Sequence, residues 1–345
     1  MLVIFSLVPI SQGLWHAARN RAPHDGGTPL ATLKSGDFVS SVRFSPDSRS
    51  LATASLSGVV LVLDIGSRES RTLITPRPDQ LQPALRFQDD GRLLILPQNA
   101  NFWELWSGEG LDAVRAVDFR NCRILNGSIG DRSLAGVRRD SFTILVRDRR
   151  TGVETSRLAG HQAPLSALAF APDETILASS DVNGWLKLWD LSTGTERAST
   201  RVHASPVCHL AFSPDGAMLA TVNSSESTIR LWDGRTGAAR GAISIPRCYF
   251  RALAFHPNGR LLAVADTLGF VLLLDLATGR ERARVRASNV GVLALEFSPD
   301  GRSLATAGLD RMAKVWDLDQ LLNPRPTHSE ARASDGKPTT FDVVD

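Results

Sequence analysis

The chain has 345 residues, 43% of them hydrophobic and 22% charged, and a mean hydropathy of −0.07. That composition excludes disorder over most of the length and supplies apolar material for one large domain or two ordinary ones. The net charge of +3 sets 39 Lys and Arg against 36 Asp and Glu without a basic run, so no nucleic-acid partner is expected.

The first segment, Met1 to Ile10, is apolar but too short to span a membrane, which takes roughly 20 apolar residues. Arg19 and Arg21 follow the apolar run, whereas a signal peptide carries its basic residues before it. Residues 1–28 are therefore expected to be weakly structured, or a remnant of an upstream region, since Leu14-Trp15 looks like the end of a later repeated strand. The expected location is cytoplasmic, with export through a weak N-terminal signal as the alternative.

From residue 29 to 322 the chain repeats itself. Phe44-Ser-Pro-Asp, Phe87-Gln-Asp-Asp, Phe170-Ala-Pro-Asp, Phe212-Ser-Pro-Asp, Phe255-His-Pro-Asn and Phe297-Ser-Pro-Asp recur at steps of 43, 83, 42, 43 and 42. The double step hides one degenerate repeat, over about 113–154. A second anchor recovers it, in Leu63-Asp64, Trp106-Ser107, Arg147-Asp148, Trp189-Asp190, Trp232-Asp233, Leu274-Asp275 and Trp316-Asp317. Seven units of about 42 residues result. Within a unit, Leu165 to Phe170 alternates with period two, and Thr228 to Trp232 does likewise. Pro-Asp-Gly and Thr-Gly pairs supply the turns between them. Four short strands cannot bury their faces alone; radial stacking of seven sheets solves this and leaves only short edges.

Gly160-His161, Phe170-Ala-Pro-Asp173, Leu177-Ala-Ser179 and Leu188-Trp189-Asp190 resemble the WD-repeat, or β-transducin-like, pattern. The resemblance implies an all-β, seven-bladed propeller of four antiparallel strands per blade, closed by an N-terminal strand, here residues 29–33 beside the strand ending at Trp316. It also implies a network of histidine, strand hydroxyl, tight-turn acid and tryptophan. On that pattern the fourth repeat offers His161, Ser179, Asn183 in the Asp position, and Trp189. The fifth offers His203, Thr221, Glu226 and Trp232. The seventh keeps Thr306, Asp310 and Trp316, with Ser288 in place of His. The networks are thus expected to be incomplete almost everywhere. Residues 323–345, polar and Pro-containing, are expected to be a disordered tail.

No residue set recommends an enzyme. His161 and His203 lie in equivalent places on neighbouring repeats, as structural histidines would; His209 falls in a strand and His256 in a solvent turn, without ligand-spaced neighbours. Asp89-Asp90 lacks the ladder of a calcium loop, and Asn126 to Gly130 lacks the first glycine of a nucleophile elbow. Cys122, Cys208 and Cys248 fit neither a disulfide framework nor zinc spacing. No cofactor or metal is expected.

Binding residues concentrate on loops held by a rigid scaffold. One face collects the lead-ins to each blade's first strand and the turns between its second and third strands. By register these are Phe38, Pro164, Pro206, Tyr249 and Arg251, with Val182, Ser225, Thr267, Leu309 and Arg311 from the turns. Tyr249 and Arg251, two apart, are expected to point to one side. The expected function is a monomeric, non-enzymatic scaffold binding protein or peptide through this face. The alternatives are a docking part of a larger bacterial signalling protein, kinase or ATPase, and an exported propeller enzyme or ligand binder.

Overall fold

The computed structural model describes residues 28–74, 83–96, 103–107, 110–115, 122–123, 125, 129–138 and 140–323. Among them the strands form seven four-stranded antiparallel sheets. Blade 1 comprises Val39–Phe44, Ser50–Ser55, Val60–Asp64 and Ser70–Ile74, and blade 2 Ala84–Phe87, Leu93–Leu96, Trp103–Ser107 and Gly110–Arg115. Blade 3 comprises Cys122–Arg123, Ser133–Arg138, Ile144–Asp148 and Glu154–Leu158. Blade 4 has Leu165–Phe170, Ile176–Asp181, Trp185–Asp190 and Thr195–Arg201, and blade 5 Val207–Phe212, Met218–Asn223, Thr228–Asp233 and Ala239–Ser244. Blade 6 has Phe250–Phe255, Leu261–Asp266, Phe270–Asp275 and Arg280–Arg286. Blade 7 supplies only Val292–Phe297, Ser303–Gly308 and Met312–Asp317 from its own repeat.

Its fourth strand is Ala31–Lys34, antiparallel to Met312–Asp317 with Ala31 opposite Val315 and Lys34 opposite Met312. The strand starts two residues later than 29–33, although the Leu30 N–H already donates to the Val315 carbonyl. After Asp317 the chain turns into a short helix, Leu318–Leu322, capped by the Asp317 carboxylate and docked through Leu318 and Leu321. The expectations for the first 27 residues, for most of Asn126 to Gly130 and for the tail beyond 323 lie outside the described residues.

Chemistry explains why each turn falls where it does. In Ser45-Pro-Asp, Ser213-Pro-Asp and Ser298-Pro-Asp the hydroxyl donates to the Asp two residues on, at 2.5–2.6 Å. The same oxygen accepts an N–H five residues on, which closes the hairpin. At the end of the third strand, the carboxylates of Asp148, Asp233 and Asp275 accept from the Thr hydroxyl and N–H of the following turn. Gly152, Gly194, Gly237 and Gly279 then adopt φ between 65° and 75°, where a side chain is strained.

The second strands are buried on both sides and pack Ala between larger residues: Leu51-Ala-Thr-Ala54, Leu262-Ala-Val-Ala265 and Leu304-Ala-Thr-Ala307. The small side chains let neighbouring blades approach. An apolar cluster fills each space between neighbours, including the closing seam, where Leu33, Ala305 and Val315 meet Val42, Phe44 and Leu51. The fourth strands, such as Arg280–Arg286, form the polar outer edge. First strands of neighbouring blades touch and line the central channel.

Candidate partner-binding face

The lead-ins and the second-to-third-strand turns are tied together blade by blade. The N–H of Leu56 donates to the Phe38 carbonyl, Val182 to Pro164, Thr267 to Tyr249 and Leu309 to Gly291, all at 2.9–3.0 Å. A second bridge joins the Ala287 and Ser288 N–H groups to the Gly269 carbonyl. A side chain at Gly269 would meet the Ser288 and Val290 carbonyls at 2.2 and 2.5 Å, and its φ is +92°. The loops are therefore pinned rather than loose.

Of the residues expected on this face, Pro164, Val182, Pro206, Ser225, Tyr249, Arg251 and Arg311 are exposed, while Phe38, Thr267 and Leu309 are half-buried. The Arg311 guanidinium lies over the Phe38 ring, 5.6 Å from its centre, which joins two of the named residues. Tyr249 and Arg251 are both exposed and flank the fully buried Phe250. Alternation is not the reason, because the ladder shifts between Phe250 and Ala252 and leaves Arg251 in a β-bulge. The register argument missed Trp185, Leu268 and Val290, which are exposed on the same face, Leu268 at 58%. It assigned one residue per loop, and nothing in the sequence tells which loop residue turns outward.

Beneath the face lie the polar networks, and two corrections follow. In blade 4 the Trp189 indole donates to the Ser179 hydroxyl at 2.7 Å, and His161 Nε2 meets the same hydroxyl at 2.7 Å. His161 Nδ1 meets Asp181, at 2.9 Å, not Asn183. Asn183 only donates its backbone N–H to Asp181, because the turn folds back over that carboxylate. Blade 5 repeats the arrangement with His203, Thr221 and Trp232, and Glu226 as the acid, 2.8 Å from Nδ1. The networks of blades 4 and 5 are thus complete, contrary to the expectation of decay. In blade 7 Trp316 donates to Thr306, and Lys314 bridges Asp310 and the Ala287 carbonyl where a histidine is lacking.

Burial pushes both histidines down, against their acids, so each is neutral. Burial pushes Glu226 up, but the Ala204 N–H, His203 and Arg230 outweigh it and hold the carboxyl at about 2. His256 is also corrected: it is buried, with its Nε2–H donating to the Gly301 carbonyl at 2.9 Å and its ring edge-on to Phe297.

In the channel, Glu296 accepts from the Phe44 N–H at 2.6 Å, across the seam between blades 7 and 1. Burial raises its carboxyl to about 7 despite Arg43 at 3.8 Å. His209 is driven down to about 4, first by burial and then by Arg43. No three His, Cys, Asp or Glu side chains converge as a metal site among the described residues, and no described helix is long and apolar enough to cross a membrane. Of the cysteines, Cys122 and Cys248 are buried and Cys208 is half-buried.

Comparison with known proteins agrees with this architecture. The family described as WD domain, G-beta repeat matches residues 27–64, 152–190, 194–233 and 279–317. Periodic tryptophan protein 2 of Arabidopsis thaliana is 31% identical over 157 residues, 44% of this chain and 17% of that protein. The Dictyostelium discoideum homologue is 29% identical over 165 residues, again 44% and 17%. The chain thus spans about a sixth of the length of these relatives. A chain from the crystal structure of the mitotic checkpoint complex superposes with a TM-score of 0.73 at 20% identity, covering 86% of this chain and 97% of that one, a likeness of fold. Four repeats of this chain thus match the WD-repeat family, and they stand within a ring of seven four-stranded blades.

Proposed function

We propose that the chain is a non-catalytic scaffold that binds a protein or peptide through the face bearing the lead-ins and second-to-third-strand turns. One observation carries the reading. Of six exposed large hydrophobics among the described residues, five (Val182, Trp185, Tyr249, Leu268 and Val290) lie on that face, and Val153 alone on the opposite rim. Exposed apolar groups gathered on one side of a soluble disc mark an interaction surface. The solved neighbour comes from a multiprotein complex, which agrees with a binding role. A monomeric, cytoplasmic protein belongs to the same reading.

The test is a photo-crosslinking side chain at position 290 or 153, followed by mass spectrometry of captured proteins. Capture is expected from position 290. For the partner so identified, Tyr249→Ala with Arg251→Ala weakens binding by at least about tenfold, since Tyr and Arg anchors dominate such surfaces. Changing Arg280 and Arg282, on the opposite outer rim, leaves it unaltered. Binding lost in the rim variant and kept in the Tyr249/Arg251 variant would overturn the face assignment.

A further inference from the structure

The charges on this face are unequally committed. Six acidic side chains among the described residues belong to it, and each of these is already engaged. Asp37 accepts from the Phe38 and Ser57 N–H groups, and Asp140 pairs with Arg138. Asp181 holds His161, and Glu226 holds His203 and Arg230. Asp266 is buried under the Leu268 and Phe270 N–H groups, and Asp310 pairs with Lys314. Arg138, Arg230 and Lys314 are taken up by those acids, but the other cations of the face are not. Lys34, Arg201, Arg247, Arg251, Arg286 and Arg311 are exposed, and no carboxylate among the described residues lies within ion-pair distance of them.

Three of the six surround the apolar residues of blade 6. Arg247 and Arg251 bracket Tyr249 in sequence, and Arg286 pairs across the ladder with Phe270, beside Leu268. The Arg286 guanidinium lies 5.5 Å from the centre of the Phe270 ring, which fixes its plane and leaves its N–H groups unused. Val290 is brought alongside by the close approach of its carbonyl to Gly269. We propose that the blade 6 sector binds an acidic peptide segment that carries an apolar side chain. The inference rests on the face proposed above and names its partner's chemistry.

Guanidinium groups pair with carboxylates in a two-pronged geometry that ammonium groups lack, and five of these six cations are arginine. The apolar side chain of the segment would lie on Leu268, Val290 and the Tyr249 ring, removing exposed apolar surface from water. Aliphatic Leu268 and Val290 distinguish this surface from a nucleic-acid platform, where aromatic rings stack on bases.

The experiment is selection of a random peptide display library on the intact protein, in parallel on Arg247→Glu with Arg286→Glu, and on Arg260→Glu with Arg302→Glu as a control on the opposite side. Enriched peptides are expected to be net acidic with at least one large apolar residue. A synthetic copy of the best one should lose at least about tenfold in affinity when its Asp and Glu become Asn and Gln, and as much on the Arg247/Arg286 variant. The control variant should bind as the parent does. Circular dichroism checks that each variant is folded. Neutral or basic winners, no enrichment, or indifference to the Arg247/Arg286 change would overturn the proposal. A mixed-sequence single-stranded oligonucleotide that displaces the peptide at equal concentration would also overturn it, in favour of phosphate recognition. Should position 290 still capture proteins while acidic selection fails, the face stands and only its charge preference falls; failure of both removes the face.

Discussion

The Ser179 hydroxyl serves two buried groups at once, the Trp189 indole and the His161 imidazole. With a neutral ring the chain of donors runs in one direction. The indole donates to the hydroxyl, the hydroxyl to Nε2, and Nδ1–H to Asp181. Ser179→Ala therefore strands two groups and should cost about 2–4 kcal/mol. Thr306→Val strands only the Trp316 indole and should cost about 1–2 kcal/mol. Urea unfolding of the two variants measures the difference; equal losses would mean that His161 finds another partner. Glu296 yields a pH signature. Its folded value of about 7 exceeds that of a free carboxyl, so between roughly pH 4.5 and 7 the unfolded chain ionises while the folded one keeps its proton. That contribution is present at low pH and fades as pH rises through the window. His161 and His203, lowered in the fold, act oppositely and cost stability as pH falls. The clean measurement is thus the difference between parent and Glu296→Gln, which keeps an acceptor for Phe44: the variant should gain relative stability as pH rises to 7. A difference independent of pH would show that Glu296 ionises normally. The choice of Asp181 over Asn183 was not legible in the sequence, because both lie in one turn and only its backbone path decides which carboxylate or amide faces the ring.

Turns and hairpins were legible because each carries its own side-chain bond. Where a bond or a glycine is missing, the element should be weaker. Arg68 occupies the turn position of Gly152, Gly194, Gly237 and Gly279, at φ 62°. Arg68→Gly should stabilise the protein by about 0.5–1 kcal/mol, read as a higher thermal midpoint, because left-handed backbone penalises a side chain. Blade 3 belongs to the repeat that lacks both the Phe and the Trp anchor, whereas blade 4 keeps Phe170 and a fully buried Trp189. Stability in such arrays is local plus nearest-neighbour, so amide exchange should open blade 3 before blades 4 and 5. Uniform protection would contradict it. Trp232→Ala, in a well-formed blade, should cost about 3–5 kcal/mol. The β-bulges were not legible: they break no composition rule, yet they decide where Arg251 points.

At the scale of the ring, the count of seven and the missing strand of the last repeat could be read from spacing alone, since anchors every 42 or so residues leave no other bookkeeping. Which loop residues project from the disc could not, because projection depends on neighbouring blades that are distant in sequence. Deletion of residues 1–34 should do more than shorten the chain. It bares the edge of Met312–Asp317 and removes Ala31 and Leu33 from the closing cluster. A lower thermal midpoint and association in sedimentation are expected. A monomer with the parent's midpoint would show that the ring closes without this strand.

The pairing of Ala31 with Val315 also sets the order of events at the ribosome. The strand that completes the last blade is made before all the other described strands, and its partner after them. At a synthesis rate of about 5–20 residues per second, it waits on the order of tens of seconds before anything exists to pair with it. Blades 1 to 6 can form hairpins as they emerge, since their contacts are local, but the seam demands closure of a loop that spans every blade. Throughout that interval two sheet faces, blade 1 on one side and the newest blade on the other, stand open to water. A nascent chain stalled just short of Met312 should therefore be the species that chaperones hold most firmly, and synthesis past Asp317 should let it go.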